Sequence, residues 1–374
     1  MVIRDRSSGD GFCVELSETF PFPDQETTLP PSSPPNRPPP FPVPELYSCN
    51  STTGPCSSDF TEFADRLGRA RYNDTISVCG AMEIPRALEA QQSSITICCN
   101  DNARCTLVGL GGVQILSFTG ANVTISGLTF QHGFTNNNGG NVAITGPGFH
   151  RILQCLFSGG ISTQFGGNLY VEGADSVLVS RSIFEFGSAE VGGAGAAFID
   201  TRMVSVEESY FESNEVELEG GGILVAYDAL SEDIPQSTSF IETFFESNSA
   251  IVGGGFFMSR DLGLSSRLFV VDCYFGANSG LRLGGAGAVF SNSSIYFGGN
   301  QGGDNFANNC PDFFAGDGCF EVTEDFLSPD SVRPPTRPPT AAPSLPDPAP
   351  SRSCAPTVTE NCISDFEVLL HVLE

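Results

Sequence analysis

The amino-acid sequence predicts an all-β chain wound as a parallel solenoid, and three observations carry that expectation. Phe130, Phe157, Phe184 and Phe211 recur every 27 residues, and Phe245, Phe275 and Phe297 continue the series at steps of 34, 30 and 22. Glycine pairs travel with them (Gly139-Gly140, Gly166-Gly167, Gly192-Gly193, Gly220-Gly221, Gly253-Gly254 and Gly284-Gly285), each starting eight or nine residues after its phenylalanine. The runs between the glycines are short, β-branched and aromatic, as in Ser176–Phe184, Ala196–Ile199 and Met203–Phe211, a pattern of strands and not of helices. A period of this size marks one supersecondary unit stacked on copies of itself. At the usual strand spacing of about 4.8 Å, seven registers predict a rod on the order of 30 Å long.

Four segments follow from composition. Residues 1–48 are proline-rich and end in Pro38-Pro39-Pro40-Phe41-Pro42-Val43-Pro44; they read as an extended segment without a core. Residues 49–325 form the solenoid with its cap. The cap is an amphipathic helix over Asp59–Ala70, with Asp59 as N-cap and Glu62 as the reciprocal capping residue, placed to cover the open edges of the first coil. Residues 326–353 are a second proline-rich linker carrying a tandem Arg-Pro-Pro-Thr at 333–340. Residues 354–374, ending in the helix-like Ser364–Glu374, read as the start of a further, truncated module.

Within each coil, two positions are diagnostic. Three residues after the phenylalanine stand Gly133, Gly160 and Gly187, then Asn214, Asn248, Asn278 and Asn300. Glycine and asparagine visit the left-handed backbone region most readily, so this position is read as a repeated turn of positive φ, its asparagines stacking as an amide ladder. Two residues before the phenylalanine stand Leu128, Cys155, Ser182, Ser209, Thr243, Cys273 and Ile295. Strand alternation puts them on the interior face beside the phenylalanines, which makes Cys155 and Cys273 buried free thiols.

Charge and cysteine usage bound the setting. The formal net charge is −27, and all 17 basic residues are arginine. That balance argues against nucleic acid and anionic membranes as partners, and against acidic polysaccharides unless divalent cations bridge them. No apolar stretch is long enough to span a bilayer. Of 13 cysteines, Cys49 and Cys56, Cys310 and Cys319, and Cys354 and Cys362 form local pairs outside the coils. Cys79, Cys98, Cys99 and Cys105 cluster where the first coil begins. This reads as disulfides sealing the solenoid ends in an oxidising compartment, with zinc as the rival for the four-cysteine cluster. Sequons at Asn50, Asn73, Asn122 and Asn292 agree with an extracellular or cell-surface glycoprotein. Met1–Ser7 opens no signal peptide, so the secreted reading carries the expectation that the native N-terminus lies elsewhere.

The runs Ile95–Ile97, Thr106–Gly109 and Asn122–Phe130 resemble coils of the pectate-lyase-like right-handed parallel β-helix. The Phe-x-x-Asn pairs (Phe211 to Asn214, Phe245 to Asn248, Phe275 to Asn278) with their Gly-Gly partners are similar to the repeats of chlamydial polymorphic outer-membrane proteins. The resemblance covers residues 57–322. It implies a right-handed β-helix, and it leaves activity open, because the superfamily holds lyases, hydrolases, adhesins and inert wall proteins.

For catalysis the sequence offers little. The Asn-Thr-Asp, Asp-Asp and Gly-His-Gly elements of the family's hydrolases do not occur, and its lyases use a basic residue near a calcium-binding carboxylate cluster. The histidines are His132, His150 and His371, and Arg151, Arg181 and Arg202 are isolated. One outward constellation stands out on the strand of the phenylalanines. Position minus one gives Ile183, Tyr210, Phe244, Tyr274 and Tyr296; minus three gives Arg181, Glu208, Glu242 and Asp272; plus one gives Glu185, Glu212 and Glu246. An aromatic ladder flanked by acids suits sugar rings, and carboxylates about 5 Å apart suit calcium or a retaining glycosidase pair. The reading is a non-catalytic secreted or cell-surface protein of wall or matrix structure, adhesion or glycan binding. Tyr210, Phe244, Tyr274, Glu208, Glu242 and Asp272 would bind the glycan, and Glu185, Glu212 and Glu246 calcium. Its partner is a polysaccharide, a cell-surface glycan or another wall protein. The alternative is a polysaccharide lyase or glycoside hydrolase of the same fold, and the bland counterpart is a solvated acidic face whose aromatics steady the stack.

Overall fold

A computed structural model describes residues 49, 55–91, 94–100, 105–110, 112–120, 122–227, 236–260, 266–290, 294–303, 305–307 and 317–320. The tails 1–48, 326–353 and 354–374, the sequons at Asn50 and Asn292, and Cys310, Cys354 and Cys362 lie outside the described residues.

The chain is a parallel β-solenoid. From the coil of Phe130 onward the coils contribute a strand to each of four sheets, the two coils before it to three, and non-consecutive strands pair across coils throughout. In the coil around Phe184 these strands are Ser176–Ser180 in a long sheet, Ile183–Glu185 in the phenylalanine sheet, Ser188–Ala189 in a short sheet, and Ala196–Ile199 in a fourth sheet buried on both faces. Three sheets have nine strands and the short one seven, so the rod is about 40 Å long at ordinary strand spacing, longer than seven registers imply. All pairings between described strands are parallel except the last of the fourth sheet, where Asp317–Phe320 runs antiparallel to Gly287–Phe290.

The runs Ser176–Phe184 and Met203–Phe211, which read as single strands, are each two strands bent at a left-handed residue. Gly127, Gln154, Arg181, Glu208, Glu242, Asp272 and Gly299 all hold φ between 45° and 68° at this corner. The next corner also differs from expectation. Positive φ falls two residues after the phenylalanine, at His132, Gly159, Phe186, Ser213, Ser247 and Ala277, and not at the glycine or asparagine that follows. Those residues serve packing instead.

The interior is a set of columns. Phe130, Phe157, Phe184 and Phe211 stack face to face at 4.7–4.9 Å, and Phe245 and Phe275 continue the column at 5.4 and 5.0 Å. The irregular steps of 34 and 30 arise mainly at the corner between the fourth sheet and the long sheet, where extra residues enter after Tyr227 and after Arg260; in the second of these coils one residue is also lost between the short and fourth sheets, where pairing passes from Glu215 with Ser249 to Glu219 with Val252. Phe297 is not in the column: it pairs with Val270 in the long sheet, alongside Ile295 with Leu268 and Tyr296 with Phe269. The next rung after Phe275 is Gly302, which restores the 27-residue period.

Beside the phenylalanines runs the amide ladder. The Asn248 amide is fully engaged: its Oδ1 accepts from the Asn214 backbone N–H and Nδ2 at 3.1 and 2.9 Å, and its Nδ2 donates to Phe211 O and Asn278 Oδ1, both at 2.9 Å. Asn278 extends the ladder to Asn305, the position that spacing had given to Asn300. In the earlier coils the same space is filled from the opposite wall. Asn141 and Asn168, which follow the glycine pairs, accept from the backbone N–H of Gly133 and Gly160. A Cβ on Gly160 would sit 2.7 Å from both Asn141 Nδ2 and Asn168 Oδ1. Where Asn214 and Asn248 occupy the first position, Gly222 and Gly255 occupy the second, and Ala286 takes that place beside Asn278; a Cβ on Gly222 would lie 3.2 Å from Phe245 and 3.4 Å from Asn248. Glycine and asparagine thus exchange places across the ladder, with the changeover at Gly187, whose N–H bonds Asn214 Oδ1.

A third column explains the small residues two positions before the phenylalanine. Ser182, Ser209 and Thr243 each donate to the carbonyl two residues back, at 3.0, 2.7 and 2.9 Å, and the thiols of Cys155 and Cys273 do the same at 3.3 Å. Asn300 ends this column by accepting the Cys273 N–H at 2.9 Å.

The first coil is closed as its sequence implies. The helix spans Phe60–Arg69, Asp59 caps it by accepting the Glu62 N–H at 3.0 Å, and Phe63 and Leu67 are buried against the first strands. Glu62 does not complete a reciprocal box; its carboxylate pairs with Arg66 one turn on. The disulfides are Cys49–Cys98, Cys56–Cys79 and Cys99–Cys105. Neighbours in sequence, Cys49 and Cys56, therefore bond to the coil and not to each other. All four cysteines of the cluster are oxidised, which removes the thiolates that zinc needs.

Two substitutions probe these columns. Phe184→Ala should cost about 3–5 kcal/mol, read as a fall in the urea midpoint. Asn248→Ala orphans buried partners on two coils and should cost about 2–4 kcal/mol. A loss below 1 kcal/mol in either would mean that the columns do not hold the stack.

Candidate functional site

The outward face of the phenylalanine sheet carries the aromatic ladder. Registers place Ile183, Tyr210, Phe244 and Tyr274 on successive rungs. The rings of Tyr210 and Phe244 are 5.9 Å apart and tilted by 32°, and those of Phe244 and Tyr274 are 5.7 Å apart and tilted by 35°. All three are half-buried. The ladder ends there, because the next rung is Gln301 and Tyr296 belongs to the long sheet.

Glu185, Glu212 and Glu246 form the row beside it, one per coil. Gly276 takes the next place, and the Tyr274 phenol lies across it: a Cβ there would be 2.6 Å from the hydroxyl. Tyr210 reaches one coil along to donate its hydroxyl to Glu246. The second acidic row is not on the strand. Glu208, Glu242 and Asp272 are the left-handed corner residues, and Arg181, which heads that column, makes a bidentate ion pair with Glu208 at 2.9 and 3.2 Å. Among the described residues no three His, Cys, Asp or Glu side chains gather into a group able to hold a metal ion, so the calcium expectation has only pairs of carboxylates along the row behind it.

Neither described histidine forms a base with these acids. His132 is an exposed corner residue. His150 is buried in the long sheet; its Nδ1 accepts the Val123 N–H and its Nε2 faces Gly146 O, both at 3.2 Å. That geometry fixes the neutral imidazole. Burial lowers its pKa, against the opposing pull of the Gly146 carbonyl and of Asp175. Burial likewise pushes the Cys155 and Cys273 thiols up to about 12, which makes both inert in the folded chain. Of the described sequons, Asn73 is exposed, whereas the Asn122 amide bonds Ser94 Oγ at 3.2 Å and accepts the Phe149 N–H at 2.8 Å.

One layer escaped the sequence reading. The outward side chains of the fourth sheet, Ala143, Tyr170, Ala197, Leu224, Phe257 and Ala288, are themselves buried, covered by Phe165, Val252 and neighbours. Phe165, Gly192, Glu219 and Val252 form a row of isolated parallel bridges over them. Burial raises the Glu219 carboxyl and, together with the adjacent Glu172, the Tyr170 phenol. The signal was present: runs such as Ile223–Tyr227 are apolar on both faces, as a strand between two layers must be.

No protein-family model and no curated protein matches this chain.

Two outcomes check this account. As pH falls below about 6.5, the unfolded chain binds a proton that folded His150 resists, so stability should decline through that window. His150→Val should flatten the decline between pH 6.5 and 5; an unchanged slope would clear His150 of the effect. Alkylation followed by mass analysis should leave Cys155 and Cys273 unlabelled until denaturant is added.

Proposed function

We propose that the chain is a non-catalytic, extracellular β-helix of the pectate-lyase-like kind, serving in wall or matrix structure and binding a glycan along its outer aromatic wall. The observation that carries this reading is the wall itself: Tyr210, Phe244 and Tyr274 rise one per coil between Glu212 and Glu246 on one side and Glu242 and Asp272 on the other. Sugar rings stack on aromatic surface, and their hydroxyls bond carboxylates. The three disulfides at the first coil support an oxidising compartment. The exposed Asn73 supports glycosylation. The coil sequences Ile95–Ile97 and Asn122–Phe130 support the family likeness.

A glycan array probed with the full chain tests it. Binding should fall several-fold in Tyr274→Ala, since a stacked aromatic contributes on the order of 0.5–1.5 kcal/mol. Binding that survives both Tyr274→Ala and Phe244→Ala would remove the wall from recognition. Polysaccharide cleavage abolished by Glu212→Gln would replace the reading with a retaining enzyme.

A further inference from the structure

We infer that the aromatic wall is a docking surface for an arginine-flanked polyproline segment, and that its occupant is residues 333–340 of this chain. The inference concerns the wall described above but does not require the glycan reading. A polyproline II ribbon docks its rings on aromatic side chains, and carboxylates beside those aromatics select ligands with arginine. The wall has both parts: half-buried Tyr210, Phe244 and Tyr274 on consecutive rungs, and Glu185, Glu212 and Glu246 in the adjoining row. The spacings also agree. Alternate rungs lie about 9.6 Å apart, close to the ~9.3 Å covered by three polyproline II residues.

The chain supplies a matching segment, Arg333-Pro334-Pro335-Thr336-Arg337-Pro338-Pro339-Thr340. Its two arginines would stand about 12 Å apart in that conformation, within reach of a carboxylate row that spans two rungs. Arg333 follows Phe320 by 13 positions, a reach of about 43 Å when extended. Phe320 belongs to the strand at the end of the fourth sheet, and Tyr274 sits one rung from the same end of the phenylalanine sheet, across the coil from it, a path that the reach of about 43 Å allows. The N-terminal Arg37-Pro38-Pro39-Pro40 is the weaker match: it has one arginine and leads into Cys49, which is tied to the first coil at the opposite end of the rod.

The test uses a fluorescent Arg-Pro-Pro-Thr-Arg-Pro-Pro-Thr peptide, titrated by anisotropy into the full chain and into the full-length Arg333→Ala/Arg337→Ala variant. A tethered segment competes at millimolar effective concentration. The peptide should therefore bind the variant about tenfold more tightly than the unsubstituted chain, and added salt should weaken it. Adding Glu212→Gln/Glu246→Gln to that variant should cost about tenfold in affinity. These are isosteric changes, and circular dichroism checks that the fold survives them. Equal binding to both chains would overturn the assignment of the tail as occupant, and no binding to either would overturn docking itself. A glycan array on the same two proteins separates the two readings. Peptide binding without glycan binding leaves this inference standing and removes the glycan. Glycan binding indifferent to Arg333→Ala/Arg337→Ala, with no peptide binding, removes this inference and leaves the glycan.

Discussion

Everything in this fold depends on one constraint: each coil must hand its hydrogen bonds and its side-chain volume to the next at a fixed rise. The phenylalanine column shows the constraint most directly, with rings stacked at 4.7 Å and 2–3° from parallel through Phe157, Phe184 and Phe211. A column of identical residues at that spacing has no freedom to alternate large with small, so any change in one coil is felt by two neighbours. Polar columns obey the same rule. An interior amide is tolerable only because its four hydrogen-bonding positions are met, as at Asn248, by the coils on either side. The hydroxyl and thiol column is a milder version, in which serine, threonine and cysteine are interchangeable because each supplies one short donor.

The exchange of glycine and asparagine across the ladder follows from volume. One amide per rung fits between the phenylalanine column and the glycine turn, and it can enter from either wall. If Asn168 brings it, Gly160 must lack a Cβ; if Asn248 brings it, Gly222 must. The coil containing Gly187 and Gly195 has neither, and the gap is closed by Asn168 Nδ2 reaching Asn214 Oδ1 at 3.4 Å. The ladder therefore continues through a change of donor wall without a break in pitch. Sequence periodicity shows glycine giving way to asparagine at one position but does not show that a second position compensates.

This defines what was legible. The 27-residue period, the parallel coils, the stacked phenylalanines, the buried thiols and the N-terminal cap were all written in spacing and burial pattern. The errors arose where spacing alone was followed past an insertion. Phe297 looks like the next register only because a phenylalanine happens to stand 22 residues on; the strand register runs to Gly302 instead. One corner was misplaced by one residue because its left-handed backbone is held by residues such as Phe186, Ser213 and Ala277, and the other was missed because it is held by residues such as Gln154, Arg181 and Glu208, types with little preference for that region. Strand pairing on both sides holds them there. Disulfide partners were not legible because the segment before the helix lies along the first coil, with Ser57 bridged to Val78, which brings distant thiols closer than neighbouring ones.

The interior columns also decide where charge can go, and so what the wall can recognise. Among the described residues no interior column holds a carboxylate, so the acids of the coil beginning at Asp200 are forced outward. Glu207, Glu208, Glu212, Glu215, Glu217 and Glu219 all lie at exposed or half-buried positions, with Arg202 as the one basic residue of that coil. At physiological salt a charge is screened over roughly 8 Å, so the acids nearest the wall dominate its field. A uronic-acid polymer would meet that field with like charge. Neutral sugars and arginine-bearing chains would not, and the same carboxylates would bond the hydroxyls of one and the guanidinium groups of the other. On the proposed reading, the aromatic rungs would set how a ligand lies, and the acids, placed by the exclusion of charge from the core, would set which ligands can approach.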